Sequence, residues 1–75
     1  MMNTPTVTLD KGYYHLQQEM ISWCEETFKT PTVWLHGRPE RFPPDAAWAV
    51  DTMFGTTYFY FDKEADAAWF TMRWL

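Results

Sequence analysis

Cysteine is nearly missing from this 75-residue chain: Cys24 stands alone. No internal disulfide can form, which excludes a disulfide-stapled secreted miniprotein and fits a reducing cytosol. Glycine occurs only three times, too sparsely to build a phosphate-cradling loop. Basic residues are scarce as well. Six Lys and Arg face ten Asp and Glu, for a net charge of −4 and a pI near 4.9. A chain so poor in cations lacks the electrostatic footprint of a general nucleic-acid binder. It has no attraction for an anionic membrane surface either. No apolar run approaches the ~18–20 residues of a membrane span. The opening MMNTPTVTLDK lacks the basic and apolar regions of a secretory leader. These absences lead us to expect a single cytoplasmic domain over 1–75, small and acidic, with no membrane association.

Aromatic side chains are what the sequence has in excess. Five Trp, six Phe and four Tyr make up 20% of it. Each ring buries roughly 150–250 Å² when inside, yet a domain of this size hides only about 60% of its unfolded surface. The core is therefore expected to be built of rings, with some left at a surface that meets a partner.

TPTVTLD (4–10) alternates Val7 and Leu9 with Thr6 and Thr8, the period of a strand. TPTVWLH (30–36) nearly repeats it, with Val33 and Leu35 against Trp34 and His36. Between them, Tyr13, Leu16, Met20, Trp23, Cys24 and Phe28 recur at helical spacing, and Asp10 suits an N-cap. GRPERFPPD (37–45) holds a glycine and three prolines and reads as a loop. AAWAVDTMFGTTYFYF reads as a hairpin around Gly55, with Trp48 and Val50 on one arm and Phe59 and Phe61 on the other. Asp62 suits the cap of a last helix, whose first turn carries Glu64 and Asp66. Ala67, Phe70, Thr71 and Trp74 make one face of that helix, yet Ala68, Trp69, Met72 and Leu75 are apolar too. The order β-α-β-β-β-α implies an α+β fold: a small antiparallel sheet of three to four strands with two helices on one face. In this arrangement Val33, Leu35, Trp48, Val50, Phe59 and Phe61 face the helices. Trp34, His36, Asp51, Tyr58 and Tyr60 carry the opposite sheet face.

Two resemblances attach to the last third of the chain. GTTYFYFDKEADA resembles the third strand and following helix of RNA-recognition-motif domains, through Gly55, Tyr58, Phe59 and Phe61. The likeness implies a ferredoxin-like strand–helix unit, with Tyr58 at a base-stacking position. Phe54 stands where that family has a basic residue, and Thr56 where it has its first stacking aromatic. The likeness is accordingly one of architecture and not of RNA binding. YFYFDKEADAAWFTMRW is similar to the C-termini of small uncharacterised tailed-bacteriophage proteins. That likeness implies a viral origin and a compact α+β fold, and no activity.

Catalytic chemistry has little to stand on. His15, His36 and Cys24 form none of the C-x-x-C, H-x-x-x-H or H-E-x-x-H spacings that hold metals, so no metal or other cofactor is expected. Cys24 falls on the apolar helix face, where a thiol is filler and not a nucleophile. Glu25–Glu26 and Glu64–Asp66 read as solvated helix charges. The chain is expected not to be an enzyme.

Binding chemistry is better provided for. His36, Arg38 and Arg41 gather positive charge on a proline-flanked loop, suited to an acidic partner or to the rim of an interface. Trp34, Tyr58 and Tyr60 can stack bases or bury against protein, and the net charge favours protein. The last helix is apolar on more sides than one sheet can cover, which places Trp69 at or near an interface. The sequence thus leads us to expect a non-catalytic protein that binds protein: a host factor, itself as a homodimer, or both. Its expected anchors are Trp34, His36, Arg38, Arg41, Tyr58, Tyr60 and Trp69. The alternatives are single-stranded nucleic-acid binding on the Tyr58/Tyr60 face and an accessory role in the virion.

Overall fold

The computed structural model describes residues 4–75. Strand β1 (Thr6–Leu9) leads into a 3-10 turn (Lys11–Leu16) and helix α1 (Gln17–Phe28). A long connection, with a second 3-10 turn at Pro39–Arg41, precedes β2 (Trp48–Met53), β3 (Thr56–Phe61) and helix α2 (Glu64–Trp74). The strands form an antiparallel sheet in the order β1-β3-β2. This is the expected α+β architecture, with both helices on one face.

Each element follows from local chemistry. Asp10 accepts a hydrogen bond from the Gly12 N–H and starts the first helical segment. Lys29 adopts a left-handed backbone, φ 59°, and its N–H closes the end of α1 on the Glu25 carbonyl. Pro31 follows and forbids continuation. The hairpin turns on Phe54 and Gly55, both left-handed at φ 50° and 84°, the pattern of a two-residue type I′ turn. Glycine adopts that conformation freely. Phe54 does so against the steric preference of an L residue, and its ring is fully exposed.

The central strand β3 sets the core. Phe59 is flanked by Val7 on one side and Val50 on the other, and Phe61 pairs with Trp48. All of these face the helices, where Met20, Ile21, Cys24 and Phe70 meet them. Phe70 lies 4.6 Å from Phe59 and 5.4 Å from Phe61, centroid to centroid. Trp48 stacks on Phe59 at 6.3 Å.

Three expectations are corrected. Residues 30–36 are not a full strand: they touch the sheet through a single parallel bridge, Trp34 to Val50. The Leu35 N–H donates to the Val50 carbonyl and the Val50 N–H to that of Val33. The alternation of the segment is as read, but its faces are exchanged. Val33 and Leu35 pack with Ala49, Tyr58 and Tyr60, on the side away from the helices. Trp34 shares the side of its bridge partner Val50 and is exposed. A one-residue change of register inverts every side chain in a strand, and the helix side was already filled by Trp48, Phe59 and Phe70. Second, Asp62 is not the cap of α2. Its N–H donates to the Ala47 carbonyl, which extends the sheet by one residue, so Lys63 caps without a side-chain bond. Third, Thr71 is exposed and donates its hydroxyl to the Ala67 carbonyl instead of joining the packed face.

Candidate functional site

The sheet face opposite the helices is not an open platform. Tyr58 and Tyr60 stack at 6.2 Å with 21° between their rings, and Tyr60 is only 9% exposed. Leu35, Val33 and Phe42 cover the pair. The cover is pinned from below by Asp51, 2% exposed. Its carboxylate accepts from the Gly37 N–H at 2.7 Å and from the Thr52 N–H at 2.9 Å. His36 and Gly37 take left-handed backbones, φ 53° and 78°, to bring that N–H inward. Burial, with the nearby Asp51 charge and then Tyr58, raises the Tyr60 hydroxyl above its ordinary pKa.

The expected anchors are thus dispersed. Tyr58 and Tyr60 lie together beneath the loop. His36, Arg38 and Arg41 are exposed along it, the arginines flanking and closing the turn Pro39–Arg41. Trp34 stands at the β2 edge. Trp69 is elsewhere, on α2. It packs edge-on against Trp23 at 5.5 Å and Phe28 at 6.0 Å.

Three of the exposed large apolar side chains, Trp69, Met72 and Leu75, gather on the outward side of α2 and at its end. Phe70, Ala67 and Trp74 turn inward. Ala65, Ala68, Met72 and Leu75 recur on the opposite side, at the three- and four-residue steps of a two-helix seam. Met72 is 85% exposed and Leu75 56%, with Trp69 at the edge at 52%. The excess of apolar residues signalled this surface in the sequence. The roles of Ala65 and Ala68 as small positions between large ones did not stand out there.

Among the described residues no group of three His, Cys, Asp or Glu side chains is placed to hold a metal ion. No helix among them is long and apolar enough to cross a membrane. The Cys24 thiol is buried; burial, reinforced by the Glu25 charge, pushes its pKa up to about 12. A cysteine in the unfolded chain titrates at about 8.5. Between these values the unfolded chain releases a proton that the folded one keeps. Stability is therefore full below about pH 8.5 and falls as pH rises through the window, by at most about 1.4 kcal/mol per unit. The raised Tyr60 hydroxyl acts in the same sense at still higher pH. The urea midpoint is expected to drop between about pH 9 and 11, and Cys24→Ala to remove the cysteine share of that drop. A midpoint flat over this range would contradict the buried thiol.

No family model, curated protein or solved structure matches this chain.

Proposed function

We propose that this protein acts by binding protein and not by catalysis, and that its partner is a second copy of itself, paired through the outward side of α2. One observation carries the reading: the seam Ala65, Ala68, Met72 and Leu75 is exposed and complementary to itself. Antiparallel two-fold pairing about the middle of the helix sets Ala65 opposite Leu75 and Ala68 opposite Met72. Each large side chain then meets a small one, and the two helix dipoles oppose. Exposed apolar surface of this kind on a small protein marks an interaction site. Trp69 borders the seam and closes its edge against Trp23. The covered tyrosine pair supports a packing role for the other sheet face. The likeness of residues 58–74 to tailed-phage C-termini supports a phage-encoded protein working in the host cytoplasm, where the Arg38/Arg41 loop remains free for a host factor.

Sedimentation equilibrium tests the pairing. The wild type is expected at twice the 9.0 kDa chain mass at high micromolar concentration. Met72→Glu places a charge in the middle of the seam and is expected to return it to one chain mass, with an unchanged circular-dichroism spectrum because Met72 contributes little to the monomer core. A wild type that stays monomeric rules the dimer out.

A further inference from the structure

A groove of about 330 Å³ runs between α1 and α2. Two of its walls are the indoles of Trp23 and Trp74, which stand at 90° with centroids 6.4 Å apart. Glu19 and Glu26 line it from α1. They lie four residues before and three residues after Trp23, so both carboxylates flank that indole on one side of the helix. The groove is also lined by a cation from the chain itself. The guanidinium carbon of Arg73 sits 4.2 Å from the centroid of the Trp74 ring.

We propose that this groove binds an arginine side chain presented by a second polypeptide, with Arg73 as the intramolecular occupant that it displaces. Perpendicular aromatic faces offer electron-rich walls to a cation, and a planar guanidinium stacks on such faces better than an ammonium does. The carboxylates of Glu19 and Glu26 supply acceptors that a guanidinium can engage through two N–H groups at once. Arg73 shows that the Trp74 wall accepts this group. The volume suits one side chain, and Gln18 and Ser22, which also line the groove, offer polar contacts to the main chain that carries it. A net charge of −4 favours the approach of a basic segment. None of the groove residues belongs to the seam on the outward side of α2, so the two sites stand or fall separately.

The test uses two peptides, acetyl-Gly-Arg-Gly-amide and its citrulline counterpart, which keeps the shape and removes the charge. Binding is read from the indole N–H resonances of Trp23 and Trp74. The arginine peptide is expected to shift both signals saturably in Arg73→Ala, about three- to fivefold more tightly than in the wild type, the size of one exposed cation–π contact. Adding Glu19→Gln and Glu26→Gln is expected to weaken binding about tenfold, the loss of charge-assisted hydrogen bonds. All three positions are exposed, and circular dichroism checks that the fold is kept. Equal binding of the citrulline peptide overturns the proposal. So does the absence of a saturable shift in Arg73→Ala, an affinity that Arg73→Ala does not raise, or one unmoved by the glutamate substitutions.

Discussion

Phe70→Ala is expected to remove a large share of the protein's stability and to lower its urea midpoint steeply. Phe70 is fully buried and is the side chain through which α2 holds the sheet. Its ring meets Phe59, Phe61, Trp23 and Trp74 at centroid distances from 4.6 to 6.5 Å. Truncating a buried phenylalanine to alanine costs about 3–5 kcal/mol, because the surrounding rings cannot collapse into the hole. A chain of this length has a total stability of roughly 4–11 kcal/mol, so the loss takes much of what there is. Phe70→Leu keeps most of the volume and should cost about 1.5 kcal/mol or less. Urea titration followed by circular dichroism distinguishes the two. Equal midpoints for wild type and Phe70→Ala would show that α2 is not anchored where the ring contacts place it.

Asp51→Ala is expected to free the loop over the tyrosine pair without unfolding the sheet. The carboxylate is the acceptor for the inward-pointing Gly37 N–H, and its removal leaves that donor without its partner. Charged hydrogen bonds of this kind are worth about 1.5–3 kcal/mol each. Loop opening should then rise by roughly tenfold to a hundredfold, at 1.36 kcal/mol per decade. Trypsin reads the opening directly at the bond between Arg41 and Phe42, since Phe42 packs into the cover only while the loop is closed. Cleavage there should accelerate by that factor, and Asp51→Asn, which retains one acceptor oxygen, should give a smaller increase. An unchanged cleavage rate in Asp51→Ala would mean that the apolar contacts of Leu35 and Phe42 hold the loop alone.

Much of this fold is legible in the order of residues. The helical recurrence from Tyr13 to Phe28 places α1 because a stripe at that period has to be buried on one side. The alternation of Phe59 and Phe61 with Tyr58 and Tyr60, and of Trp48 and Val50 with Ala49 and Asp51, places both arms of the hairpin and divides their faces. Gly55 marks the turn between them, and the scarcity of cysteine and of basic residues bounds the chemistry. The surplus of apolar residues on α2 announces that one sheet cannot cover it. All of these are consequences of local period and composition, which a chain carries before it folds.

What only the tertiary structure decided depends on contacts between segments far apart in sequence. Period two says that Val33 and Leu35 share a side, but not which side. The bridge from Trp34 to Val50 chose, because Phe70 and the sheet aromatics had already filled the helix face. The sequence shows Asp51 as one polar residue in a strand. It becomes the pin of a loop because Gly37, fourteen positions earlier, brings its N–H to that carboxylate. Glu19, Trp23, Glu26, Arg73 and Trp74 are ordinary members of two helices until the helices pack side by side. Trp69 is an apolar residue on a helix flank until Trp23 and Phe28 receive its ring. Local patterns determine which elements form and which side chains travel together. Which faces are closed and which grooves stay open is set by long-range packing, and no local pattern encodes it.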